Sequence, residues 1–209
     1  MDSIDKINKL GAELVPEQKT GSEMDVCQKL QLSSLDEAAS FYQIVKSRLL
    51  DVNKWYDIAQ LPVSAFKLFD CSGRVAERTA RQGDFIRIDI PGPGSKTGKG
   101  YDWVHIEVIA EESGANSEAI TMRVRPNAHP LGDDEHVAHF LKSCATSTFQ
   151  VKRAGMLLTA EEHGRNEVAN VHTGYLLDNI RNALVGVSAK IGLSYPQWKS
   201  LVKGLLESK

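Results

Sequence analysis

From Ala65 to His163 the apolar residues recur at every second position rather than every third or fourth, and this period constrains the chain more than any other feature. "AFKLFD" from Ala65, "RVAERT" from Arg74, "DFIRIDI" from Asp84, "WVHIEVI" from Trp103, "AITMRVR" from Ala119, "ATSTFQV" from Ala145 and "MLLTAEEH" from Met156 read as strands. Turns such as "DCSG", "EESGANS" and "KRAG" are too short for the crossover helix that a parallel pair needs. The sheet is therefore expected to be antiparallel, and a parallel dinucleotide-binding sheet is not.

Helical periodicity flanks this block. Ser3 caps a short helix with Ile4, Ile7, Leu10 and Leu14 on one side, and "PEQKTGSE" from Pro16 reads as a linker. Met24 to Leu32 fits a first strand. Ser34 and Glu37 match a capping box, and Leu35, Ala38, Phe41, Tyr42, Val45 and Leu49 mark the apolar face of the helix that follows. A second short helix is expected within Asp51 to Gln60, ahead of Pro62. Near the C-terminus Leu177, Ile180, Leu184, Val187 and Ile191 form a long stripe that stops at Gly192. Ser194 and Gln197 open a last helix with Trp198, Leu201, Val202, Leu205 and Leu206 on one side. The expected organisation is a helix and linker over 1–22, one α+β domain over 23–192, and a helix over 193–209 packed on that domain.

The glycine-rich "PGPGSKTGKG" from Pro91 invites a phosphate-binding reading. A Walker A loop would need glycine where Pro93 stands and a hydroxyl where Gly100 stands, and a strand follows rather than a helix. Ile86, Ile88 and Ile90 before the loop and Val104, Ile106 and Val108 after it alternate as in a hairpin with one buried face. The opposite face carries Phe85, Arg87, Asp89, Trp103, His105 and Glu107, and "AITMRVR" extends it with Arg123 and Arg125. Burying those ions unpaired would cost several kcal/mol each, so the aliphatic face is expected inside.

Composition narrows the classes. Of 209 residues, 25 are Lys or Arg and 27 Asp or Glu, so no excess charge invites nucleic acid. No stretch reaches the apolar length of a membrane span and no basic leader opens the chain, from which a cytoplasmic location is expected. Cys27, Cys71 and Cys144 are odd in number and lie far apart, which suggests neither disulfides nor a thiolate metal site. Between Pro126 and Cys144, an acidic start at Asp133, Asp134 and Glu135 suggests a helix with His136 and His139 one turn apart. That spacing lacks the His-x-x-x-His pattern and the intervening glutamate of zinc hydrolases, and neither a metal nor another cofactor is expected. "AEEHGRNE" offers Glu161 and His163 on one face and Glu162 on the other, so that a base and an anion binder would be available if they met a pocket.

The order of elements resembles the START-like superfamily, also called the polyketide cyclase and lipid-transport superfamily. A first strand, two short helices, a run of antiparallel strands and a long striped helix after "HGRNEVAN" match its helix-grip arrangement, and "LLDVNKWYDIAQ" and "RQGDFIRI" are similar to its helical segment and glycine-led strand. The resemblance covers roughly residues 24–191, and the first helix, the 126–144 insertion and the last helix depart from it. It implies a curved sheet wrapped around a C-terminal helix, with a cavity for a small apolar ligand. That cavity would be lined by Trp55, Phe66, Ile88, Ile106, Met122, Phe149, Leu177, Ile180 and Leu184. The leading expectation is a carrier or sensor of a small hydrophobic molecule. Second comes a cyclase- or hydrolase-like enzyme using His163, Glu161 or His105 in the cavity. Third comes an interaction module or homodimer in which exposed Trp198, Leu201 and Leu205 form the contact.

Overall fold

A computed structural model describes residues 3–59, 64–90, 97–132, 136–171 and 194–207. Seven strands form one antiparallel sheet: β1 (Ser22–Gln31), β2 (Ala65–Phe69), β3 (Phe85–Asp89), β4 (Asp102–Gly114), β5 (Ser117–Pro126), β6 (Thr146–Ala154) and β7 (Leu157–Glu167). Their spatial order is β1-β7-β6-β5-β4-β3-β2, so consecutive strands from β2 to β7 are hairpin neighbours and β1 joins the far edge. The helices are α1 (Ser3–Lys9), α2 (Leu35–Leu50), α3 (Trp55–Ala59) and α4 (Ser194–Leu205).

The inner face of the sheet is the aliphatic one. Ile86, Ile88, Val104 and Ile106 are buried, and Ile120, Met122 and Val124 continue the layer across β5. The loop between β3 and β4 closes a hairpin, with Ile86 opposite Val104 and Ile88 opposite Asp102. On the outer face Glu107 pairs with both Arg123 and Arg125, and the Arg87 guanidinium lies 4.1 Å from the Tyr101 ring centre. Cross-strand pairing thus compensates the charges that alternation sends outward.

Helices α2, α3 and α4 cover the inner face. The backbone N–H of Glu37 donates to Ser34 Oγ at 3.2 Å, and the Glu37 carboxylate reaches back to the N–H of Ser33 at 3.0 Å. The capping box therefore closes one residue earlier than the sequence spacing suggests. Trp55 Nε1 donates to Leu49 O at 3.0 Å, which holds α3 against the end of α2. Helix α4 packs on α3 so closely that a Cβ on Gly204 would stand 1.9 Å from Ile58 O. Arg48 caps its far end, donating to Leu205 O and Glu207 O at 2.8 and 2.7 Å.

Three expectations change. "RVAERT" is not a strand: only the Phe69–Val75 bridge forms, because Ala76 N donates to Leu68 O and Ala80 N to Leu50 O, which ties the segment to β2 and α2 in turn. The described residues of the insertion, 127–132 and 136–144, are not helical. Their backbone donors turn to neighbours instead, Ala138 N to Asn127 O and Lys142 N to Val168 O. Finally, Leu201 and Leu205 are buried within the chain and Trp198 packs on the core, so they form no exposed contact patch. The helix expected over 177–191 lies outside the described residues.

The outer face has a cover of its own. Helix α1 lies over β6 and β7 with Ile7 buried beneath it, and Gly11 to Thr20 continues across the sheet. Gly11 takes φ 62 directly above Gln150, whose Nε2 donates to Gly11 O at 2.8 Å, so any side chain there would meet both backbone strain and contact.

Candidate functional site on the inner face

Six of the nine residues expected to line a cavity meet on one face. Trp55 stands 5.3 Å from Phe66 and 5.0 Å from Phe149, in tilted or edge contacts typical of aromatic packing. Ile88, Ile106 and Met122 belong to the same apolar cluster. Leu177, Ile180 and Leu184 fall outside the described residues. The sequence reading did not place Trp198 here: its ring lies 5.2 Å from Phe149 and 6.0 Å from Phe66, so the last helix supplies a fourth aromatic wall.

The polar candidates sit elsewhere. His105 faces outward, its ring 5.0 Å from that of Phe85. Glu161 and His163 also lie on the outer face, inside a network beneath the N-terminal segment. Lys152 Nζ is 2.8 Å from Glu161 Oε2, Thr159 Oγ1 donates to Glu161 Oε1 at 2.6 Å, and His163 bridges Glu161 and Asp25 at 3.1 and 2.5 Å. Burial works to raise the Glu161 pKa, but the His163 hydrogen bond, the Lys152 charge and Thr159 outweigh it and hold it at about 2. This is a satisfied ionic cluster on the side of the sheet opposite the aromatic floor.

The inward carboxyl is Glu162. It stands across from Phe149 on β6 and Val26 on β1, both in the apolar core, and is fully buried itself. Neither of its oxygens has a hydrogen-bond partner of ordinary geometry among the described residues. Burial pushes its pKa well above the ordinary range, and the nearby Glu167 charge pushes the same way; the Ser147 side chain opposes them only in part. Burial in the apolar core thus favours the protonated, neutral form of Glu162.

Glu167 joins it because β7 carries an extra residue. Met24 pairs with Gly164 but Ser22 pairs with Glu167, and Asn166 takes φ 57 in between, a β-bulge that returns Glu167 to the inner side. A Cβ on Gly164 would lie 2.8 Å from Glu167 Oε1, so the glycine leaves room for that carboxylate. Burial raises the Glu167 pKa as well, against a 3.4 Å contact to Ser22 Oγ and the charge of Arg165. Alternation alone puts Glu162 on the face opposite Glu161. What the sequence did not disclose is that both faces are covered, and which of them holds the satisfied acid. Among the described residues, no three His, Cys, Asp or Glu side chains converge as metal ligands.

One strand, two helices and six further strands, all seven strands in one antiparallel sheet of order β1-β7-β6-β5-β4-β3-β2, with a C-terminal helix, make this an α+β protein of helix-grip architecture. Against known proteins, no family model and no curated protein matches the sequence. Among solved structures, an uncharacterised protein from Bacillus thuringiensis is similar at 12% identity with a TM-score of 0.39, over 89% of this chain and 100% of that one. Truncated norcoclaurine synthase from Thalictrum flavum is similar at 11% identity with a TM-score of 0.38, over 93% and 100%. Major latex-like protein 151 from Panax ginseng is similar at 14% identity with a TM-score of 0.34, over 82% and 96%. No described helix is long and apolar enough to cross a membrane.

Proposed function

We propose that the protein binds a small, largely apolar molecule against the inner face, between the sheet and the C-terminal helices, and that Glu162 holds the ligand's one polar group. The observation that carries this reading is a fully buried carboxyl whose two oxygens have no hydrogen-bond partner among the described residues, on the same face as four aromatic rings. A buried polar group without a partner costs about 1–3 kcal/mol, and a ligand hydroxyl or carbonyl that meets it recovers that loss. The aromatic walls supply the apolar contact that most small-molecule sites use.

The test is titration with N-phenyl-1-naphthylamine, an apolar dye whose emission rises in a dry site. Saturable one-to-one binding, weakened in Trp198→Ala and unaffected by Glu161→Gln on the outer face, is the expected result. A folded protein that leaves the dye dark sinks the proposal.

A second reading rests on the same residue. A buried carboxyl whose pKa is raised is a candidate general acid, which favours Glu162 over His163, Glu161 and His105 as the catalytic group of a cyclase- or hydrolase-like reaction. Turnover that survives Glu162→Gln would remove this reading and leave the carrier.

A further inference from the structure

The outer face holds polar groups that the inner site does not use. Thr146, Thr148 and Gln150 alternate along β6, all pointing outward and all nearly inaccessible at 2%, 0% and 1% exposure. Thr146 Oγ1, Thr148 Oγ1 and Gln150 Oε1 each lack a hydrogen-bond partner among the described residues. The amide nitrogen of Gln150 is already committed, to Gly11 O and Thr121 Oγ1, both at 2.8 Å. Three orphaned oxygens in a row on one strand are costly where native interiors leave few.

Only the first member of the row, Thr146, lines a cleft. Where the N-terminal segment crosses the sheet, a cavity of about 440 Å3 is lined by Pro16, Thr20, Arg125, Cys144, Thr146 and Asn166, among others. Asn166 is spent as wall material: its side chain accepts from Lys19 N and Thr20 N and donates to Glu17 O. Thr146 is different, since its unpartnered hydroxyl lines the cleft. Thr148 follows on the same face about 7 Å further along the strand, level with Arg123 on β5.

The charge at this end is positive by one. Arg123 and Arg125 share the single carboxylate of Glu107, whose pKa burial tends to raise but which the two guanidiniums hold low. At the cleft mouth Lys19 and Glu17 offset each other at 3.5 Å. One uncompensated guanidinium charge beside the Thr146 hydroxyl suits an oxyanion, and the Thr148 hydroxyl next along the strand suits a hydroxyl carried on the same molecule.

We propose that this cleft is a second binding site, independent of the inner one, for a small hydroxylated oxyanion. Arg125 and Thr146 take the charged oxygens. Thr148, the next outward residue on the strand, takes the hydroxyl end.

Isothermal titration with glycerol 3-phosphate, beside inorganic phosphate and glycerol, tests it on the full chain. Glycerol 3-phosphate is expected to bind at least about tenfold more tightly than either fragment. Thr146→Val and Thr148→Val should each weaken it by about tenfold, the worth of one charge-assisted hydrogen bond. Neither valine variant should lower the thermal midpoint, because the hydroxyl removed has no partner in the free protein. Three results would overturn the site: no heat from glycerol 3-phosphate, equal affinity for inorganic phosphate alone, or unchanged affinity in both folded valine variants. Arg125→Met serves as a further check, and its binding should fall while the N-phenyl-1-naphthylamine site on the other face stays intact.

Discussion

Two adjacent glutamates on β7 meet opposite fates, and the difference is set by which face each one enters. Glu161 finds Lys152, Thr159 and His163 and is held ionised, whereas Glu162 enters an apolar core that favours its neutral form. Their linkage to stability has opposite signs. For Glu162 the folded pKa is raised, so above the unfolded value near 4.3 the native state keeps a proton that the unfolded chain has lost. Its contribution is fullest below about pH 4 and declines as pH rises, by up to about 1.4 kcal/mol per pH unit until the folded pKa is passed. Glu162→Gln should flatten that slope above about pH 4.3, measured by urea unfolding across pH. For Glu161 the folded pKa is depressed to about 2, so its contribution is present above about pH 4.3 and lost as pH falls toward 2. Lys152→Met alone should destabilise by about 3–5 kcal/mol, because it strands a buried carboxylate, while Lys152→Met with Glu161→Leu should recover most of the loss. A single variant with wild-type stability would show that the pair is solvated.

At the scale of elements, the strands were the most legible part of the chain, because a sheet with one aliphatic face writes a two-residue period into the sequence. Two elements misled for a physical reason. Val75 and Ala76 alternate like a strand, yet their segment gives its hydrogen bonds to α2 and β2 and pairs with the sheet at one bridge only. The acidic start near Asp133 has the signature of a helix, yet residues 136–145 hydrogen-bond to segments distant in sequence. Local pattern does not carry such long-range competition. The last helix read correctly as a helix but wrongly as an exposed one, since its stripe of Leu201, Val202 and Leu205 could equally face a partner or the chain's own core. Gly204 is the residue that settles its docking. Gly204→Ala would bring a methyl against Ile58 O, so α4 should detach from α3 and the rings of Trp198 and Phe149 should separate. Loss of near-ultraviolet circular dichroism with a thermal midpoint lowered by several degrees is the expected signature; an unchanged midpoint would mean that α4 contributes little to the core.

For the molecule as a whole, a seven-stranded sheet covered on both sides creates two chemically distinct layers. The inner layer is aromatic and aliphatic with one fully buried acid, and the outer layer is ionic with a row of unpaired oxygens. The apolar part of the inner face was legible in the sequence, since Phe66, Met122 and Phe149 fall on the strand face that alternation turns inward and Trp55 on the short helix expected ahead of Pro62. The acid was not: alternation puts Glu162 opposite Glu161 and His163 but does not say which of the two faces meets the aromatic core and which lies under the N-terminal segment. The central claim, that the inner layer holds a ligand at Glu162, is tested most directly by native mass spectrometry of wild type and Glu162→Leu, with any bound molecule extracted and identified. The account predicts an added mass on the wild type that organic solvent releases and that Glu162→Leu loses. A bare wild-type mass in repeated preparations, with no uptake from an apolar extract, would contradict it.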